Sequence, residues 1–295
     1  LFKDGGYYLN NGVSLCSSCH IDAERSILSC EVLREAAKIK EIVVPEGFDP
    51  DYRYDKWGKV LDNRIKYPKT MHFPWSPNLQ NDDRVLEDPA CFEGKYVVMT
   101  EKMDGENTTM YRDAIHARSM TDMAPHPSRP WVQALHGRIK HDIPEGWRIC
   151  GENVYAKHSI WYRNLTSYFY VFSIWNGDLC LDWYNTKEWC QLLGLSHAPE
   201  IWWGLYNEQN LHNASAYYSP RGGNDVEGYV VRNASAFLLK DFQTNVAKYV
   251  RKGHVQTSEH WLNEPMVKNE LAKSTNPYAP SLDELDGTTF YTHRQ

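Results

Sequence analysis

The apolar run Tyr96-Val97-Val98-Met99 leads directly into Glu101-Lys102-Met103-Asp104-Gly105-Glu106-Asn107. β-Branched and aromatic residues favour extended backbone and Asp-Gly favours a tight turn, so this pattern predicts a strand that ends in a hairpin with a lysine at its mouth. An amine held at a strand end is a candidate nucleophile. The same residues also describe an ordinary hairpin turn, so the choice rests on what the rest of the chain supplies.

Further strand-like segments follow at residues 108–112, 115–118, 147–155, 168–175 and 226–231, each rich in β-branched or aromatic residues and bounded by Gly, Asn or Asp. Helices are few. Apolar periodicity predicts one over residues 23–39 and another over 128–140. Asn185 with Glu188 reads as a capping box ahead of Trp189, Leu192 and Leu193. A last helix is predicted around residues 267–273, within a polar tail read as a mobile extension. Antiparallel strand blocks with a few helices predict an α+β fold. No Gly-x-Gly-x-x-Gly follows a strand and no Gly-x-x-x-x-Gly-Lys-Ser/Thr is present, which removes the common nucleotide folds.

The net charge of −6 excludes a generic polyanion binder. Any nucleic-acid site must be local, and basic clusters stand at residues 56–69, 129–141 and 240–254. Seven scattered cysteines suit a reducing compartment. With no membrane-length apolar run and no signal-like start, a cytoplasmic protein with no membrane partner and no obligate protein partner is expected. Near the start, the segment from Leu9 to His20, with Cys16-Ser17-Ser18-Cys19, resembles the second half of an HNH-type zinc knuckle. The upstream ligand pair is missing. A zinc ion there would need Cys30, His72 or Cys91 as well, because two sulfurs do not fill a tetrahedral site.

The pattern Glu-Lys-x-Asp-Gly-x-Asn at residues 101–107 resembles the first motif of the RNA ligases, a branch of the covalent nucleotidyltransferases that includes DNA ligases and capping enzymes. Further matches follow in order: Arg118 in Ile115-His116-Ala117-Arg118-Ser119, Glu152 in Cys150-Gly151-Glu152-Asn153, Phe172 in Tyr170-Val171-Phe172-Ser173, Glu227 in Val226-Glu227-Gly228-Tyr229-Val230-Val231, and Lys248 in Asn245-Val246-Ala247-Lys248. The resemblance implies an antiparallel-sheet, ATP-grasp-like adenylylation domain over residues 46–262, after a knuckle-and-helix segment over 1–45 and before a helical and polar tail over 263–295.

It also implies roles. Lys102 would carry AMP, assisted by Lys248. Glu101, Asp104, Gly105, Asn107, Arg118, Glu152, Phe172, Glu227, Lys248 and Arg251 would bind the nucleotide, with Phe172 as the base platform and either Arg251 or Lys240 in place of a second motif lysine. Glu227 would hold Mg2+ or Mn2+. Ser173 stands where many relatives have an acid. Asn107 stands where DNA ligases and capping enzymes place an arginine, and the 47 residues after Lys248 are few for the oligonucleotide-binding barrel those enzymes carry. Both points favour an ATP-dependent RNA ligase that joins a 3′-hydroxyl to a 5′-phosphate on RNA or nicked RNA-containing duplex, in RNA repair. Alternatives are a lapsed nucleic-acid-binding module with an HNH-derived start, or a DNA-nick ligase or capping-type enzyme.

The chemistry makes one electrostatic demand. A lysine of pKa about 10.4 is protonated at neutral pH, so attack on the α-phosphorus of ATP requires that its proton be lost. Lys248, Arg118, a magnesium ion and partial desolvation are expected to lower it.

Overall fold

The computed structural model describes residues 12–24, 28, 30–40, 64–79, 83–120, 126–217, 226–252 and 266–272. The chain divides into two units, 1–66 and 67–295. The expected domain boundaries at 45/46 and 262/263 fall outside the described residues. In the first unit the helix predicted over 23–39 is two short ones, α1 (Ser17–Glu24) and α2 (Cys30–Ala36). Leu28 N–H bonds Asp22 O at 3.2 Å, six residues back rather than the four of a helical ladder. α2 ends where Lys38 takes a left-handed φ of 58°. Cys16 is exposed and lies 3.2 Å from Ser18 Oγ. That hydrogen bond draws its thiol down to about 7. Among the described residues no group of three or more His, Cys, Asp or Glu side chains is placed to hold a metal, so they do not form the expected zinc site.

The second unit comprises β1 (Met71–His72), β2 (Tyr96–Lys102), β3 (Glu106–Met110), β4 (Ile115–Ala117), α3 (Pro130–Ile139), β5 (Trp147–Asn153), β6 (Phe169–Asn176), β7 (Leu179–Cys180), α4 (Trp183–Leu193), β8 (Ser196–His197), β9 (Glu200–Leu205), α5 (Glu208–Tyr217), β10 (Gly228–Asn233), β11 (Phe237–Leu238) and β12 (Val246–Val250). One sheet runs β1-β12-β10-β2-β9, and the other runs β11-β7-β6-β5-β3-β4 with β8 beside β6. β1 joins β12 and β8 joins β6 in parallel, and the other strand pairs are antiparallel. The architecture is the α+β one that the strand blocks predict, built on antiparallel sheets.

β2 and β3 do not form the predicted hairpin. β2 is bonded to β10 and β9 in the first sheet, and β3 to β5 and β4 in the second. The Met103–Gly105 link therefore crosses between sheets and leaves Lys102 at the crossing. Two contacts pull the chain across. Asp104 Oδ2 accepts hydrogen bonds from Ser159 N (2.8 Å), Ser159 Oγ (2.7 Å) and Ile160 N (2.9 Å). Gly105 lies so close to the end of β5 that a Cβ would sit 2.4 Å from Asn153 O.

Between the sheets pack Cys150, Trp175, Cys180, Phe237, Phe242 and Val246. Arg232, 4% exposed, bolts the layers together by donating from β10 to Phe172 O (2.8 Å) and Leu181 O (2.8 Å). α4 is capped by Asp182, whose Oδ1 accepts Asn185 N–H at 2.9 Å, so Asn185 lies inside the first turn rather than at its cap. The same side-chain chemistry acts three residues earlier than predicted.

Residues 266–272 are extended, not helical. The cause is Asn269, 1% exposed. Its amide donates to Val154 O (2.8 Å) and Ala156 O (3.2 Å), and its Oδ1 accepts Tyr162 N–H (2.8 Å). Bridges Ala156–Lys268 and Leu165–Leu271 seat this strap on the segment that holds Asp104. This part of the tail is thus packed against the domain rather than a loose extension. Among the described residues no helix is long and apolar enough to cross a membrane.

Candidate active site

Lys102 is the last residue of β2, and Gly228, the first of β10, is its partner in the ladder. A Cβ on Gly228 would lie 1.9 Å from Tyr249 O, so only glycine lets β10 sit this close to β12. Glu227, one residue earlier, then meets the lysine: Lys102 Nζ is 2.6 Å from Glu227 Oε1. The glutamate side chain is 3% exposed and the lysine 23%, so the amine still reaches open space.

That space is a cavity of about 560 Å³ between the two sheets, within the size range of small-molecule sites. Seven of the residues nominated from sequence line it: Glu101, Lys102, Asn107, Arg118, Glu152, Phe172 and Lys248. Their positions follow from the pairing. β3 and β5 set Asn107 opposite Glu152, β6 brings Phe172, and β12 brings Lys248 beside Val230 of β10. Asn107 Oδ1 is buried with no hydrogen-bond partner among the described residues, an acceptor left for something else to satisfy.

Asp104, Gly105, Glu227 and Arg251 are not in the cavity wall. Asp104 is the brace described above. Burial would raise its carboxyl, but hydrogen bonds from Ser159 and the nearby His158 hold it low. Arg251 donates its Nε–H to Val226 O (2.5 Å) and its N–H to Glu227 O (3.0 Å), fixing the backbone that presents the glutamate.

The electrostatics differ from expectation. Burial pulls the Lys102 amine down, yet Glu227, Glu152 and Asp104 prevail and raise it above the ordinary lysine value. The protein's own groups thus hold Lys102 as an ammonium. The depressing influence expected of Lys248 and Arg118 is outweighed because the carboxylates supply the nearest charge. Glu152 is pushed up to about 8 by burial, with Lys102 opposing and Glu227 and Asp104 adding. Burial also raises Glu227. Lys248 is lowered, first by burial and then by Lys102.

Sequence reading missed several wall residues. Arg232 closes the Glu-Gly segment but carried no assigned role. Tyr67, in a stretch for which no strand or helix was predicted, packs edge-on against Phe172 at 4.9 Å, and its carbonyl accepts Arg118 Nε–H at 3.4 Å. Asp83, from the same stretch, also faces the cavity. No local pattern marks such residues, because their partners lie far along the chain.

Five cations (Lys69, Lys102, Arg118, Arg232 and Lys248) and an aromatic ring on one cavity suit a planar base carrying phosphates. The donors also fit a hard divalent ion. Glu227 and Glu152 both act electrostatically on Lys102, and magnesium takes only one or two protein carboxylates together with substrate phosphates.

Residues 95–250, just over half of the chain, match the sequence model of the family described as RNA ligase. No curated protein sequence matches the chain. Among solved structures, an archaeal ATP-dependent RNA ligase (form 1) is 15% identical over 63% of this chain and 48% of its own, with a TM-score of 0.44. An Aquifex aeolicus protein provisionally assigned as an ATP-dependent DNA ligase is 16% identical over 76% of this chain and 62% of its own (TM-score 0.46). A Naegleria gruberi RNA ligase mutant with ATP and Mn is 16% identical over 64% of this chain and 63% of its own (TM-score 0.38). The chain spans about half to three fifths of the length of these structures.

Proposed function

This chain belongs to the RNA ligase family, and we propose that it is an ATP-dependent RNA ligase working through an AMP carried on Lys102. The observation that carries the reading is the Lys102–Glu227 pair at the edge of a cavity rich in cations. In the first step Lys102 Nζ, having given up its ammonium proton, attacks the α-phosphorus of ATP. A phosphorus–nitrogen bond forms, the bond to the bridging oxygen breaks, and pyrophosphate leaves. Glu227 is the nearest acceptor for that proton, and its raised carboxyl makes it a better base than an exposed glutamate.

Lys248 and Arg118 face the phosphates and steady the charge that builds on them. Phe172 offers its ring to the base, while Glu101 and Asn107 offer acceptors. Asp104, Gly105 and Arg251 act by position: the first two carry the chain across the sheets and the third fixes the Glu227 backbone. Glu227, with Glu152 nearby, would hold magnesium or manganese, which when bound supplies positive charge that neutralises carboxylate and phosphate and eases loss of the lysine proton. AMP then passes to a 5′-phosphate, and a 3′-hydroxyl displaces it to seal the strand. RNA repair is the role this chemistry suits.

The test is strand joining. With ATP and magnesium, RNA ends bearing 5′-phosphate and 3′-hydroxyl are expected to be joined, and GTP is expected not to replace ATP. Joining of DNA alone would make the chain a DNA-nick ligase. Absence of any joined product would contradict the reading.

A further inference from the structure

Lys248 is gripped by residues that lie before the segment matching the family. β1 runs parallel to β12 with His72 beside Lys248 in register, and Phe73 N–H donates to Lys248 O at 2.8 Å. The His72 ring is fully buried. Its Nδ1 lies 2.8 Å from Ser76 Oγ, and its Nε2 lies 3.2 Å from Asp83 Oδ2. Ser76 Oγ accepts Val250 N–H at 3.0 Å, while Val250 O lies farther off at 3.4 Å. The His72 ring thus touches Ser76 on one edge and the Asp83 carboxylate on the other. The other carboxylate oxygen, Asp83 Oδ1, is 3.5 Å from Lys248 Nζ.

The order Ser76, His72, Asp83, Lys248 is thus a line of contacts that runs from the edge strand into the cavity. Burial, then the charge of Lys248, pulls His72 down to about 4, so the ring is neutral and adds no cation. Lys248 stands near Lys102, which repels it, and near Glu227, which attracts it less directly than Asp83 does. Its side chain has a flexible four-carbon stem. With Asp83 only 6% exposed and Lys248 14%, little water is present to screen either charge.

We propose that Asp83 is a positioning residue: oriented by His72, it holds the Lys248 ammonium in the cavity against repulsion from Lys102, so that the charge stands where the nucleotide phosphates arrive. This rests on reading the cavity as the ATP site. Neither His72 nor Asp83 touches the nucleotide in this scheme, and both act through Lys248.

The test is a double-mutant cycle read as binding. The full chain is titrated calorimetrically with α,β-methylene-ATP, whose carbon bridge blocks AMP transfer. Asp83→Asn is expected to weaken binding about tenfold, as for residues that orient a ligating group, and to have no further effect beside Lys248→Met. Equal losses in both backgrounds would overturn the proposal. If Asp83→Asn fails to fold, His72→Gln, which keeps an N–H donor, is expected to bind nearly as the parent does, and His72→Leu about tenfold more weakly. Equal affinities would overturn it. Labelling Lys248 with acetic anhydride, quantified by peptide mass spectrometry, needs no nucleotide. Release of the amine in Asp83→Asn, or in His72→Leu where that variant is used, is expected to speed labelling severalfold, and an unchanged rate counts against the proposal. A parent protein that binds no analogue but shows the labelling change would sink the ATP reading alone and leave Asp83's hold on Lys248 standing.

Discussion

Lys102 Nζ donates to Glu227 Oε1 across 2.6 Å, and the pair exists because Gly228 lets β10 lie between β2 and β12 without a side chain in the way. The proposed nucleophile and its proposed proton acceptor, 125 positions apart in sequence, are joined by one ladder contact. The amine is consequently held charged, and productive chemistry requires that the carboxylate's grip be relaxed as phosphates and metal arrive.

Gly228→Ala probes that contact. A methyl group would meet Tyr249 O at 1.9 Å, backbone that has no room to retreat. The substitution is expected to cost about 1–3 kcal/mol, as overpacking does, and to reduce AMP transfer by displacing Glu227 and Lys248 together. Urea unfolding and adenylylation measured on the same preparation check both.

Phe172 offers its ring to the cavity while Tyr67 packs edge-on behind it. Phe172→Ala is expected to raise the ATP concentration needed for half-maximal adenylylation about tenfold, roughly the value of one aromatic contact, while Phe172→Tyr stays near the parent. Equal values for all three would remove Phe172 from the base site.

Several residues of the cavity wall were legible because they sit in short motifs. Lys102, Glu152, Phe172 and Lys248 were each nominated through a motif resemblance, and all four line the cavity. The strands could be placed because β-branched and aromatic runs end at Gly, Asn or Asp. What could not be read was long-range. The Lys102 turn looks like a hairpin until Asp104 is seen bonded to Ser159 and Ile160, 55 and 56 residues away. The segment at 267–273 has helical periodicity, but the buried Asn269 amide finds the carbonyls of Val154 and Ala156 and holds the chain extended. The charge state of Lys102 was read with the wrong sign because sequence names the cations but does not say that Glu227 lies 2.6 Å from the amine.

His72 gives a pH dependence of stability. Its folded pKa, about 4, lies below the ordinary 6.5, because burial and Lys248 disfavour the imidazolium. The neutral ring's contribution is complete above about pH 6.5 and is lost as pH falls toward 4, for a total of about 3 kcal/mol. His72→Gln is expected to flatten the stability curve in that window. Urea midpoints from pH 7 to pH 4 measure it, and parallel curves for the two proteins would contradict it.

Asn269→Ala tests the strap. The change leaves Val154 O, Ala156 O and Tyr162 N–H without their side-chain partner in a buried site. A loss of about 2–4 kcal/mol is expected, together with slower adenylylation, because Tyr162 also bonds Asp104 N–H. Thermal unfolding checks the first and labelled-nucleotide uptake the second.

The central claim is met most directly by incubating the full chain with α-labelled ATP and magnesium and mapping the label. Acid-labile AMP on Lys102, absent from Lys102→Ala, is the expected result. No protein-bound label, or label that persists in Lys102→Ala, would contradict it.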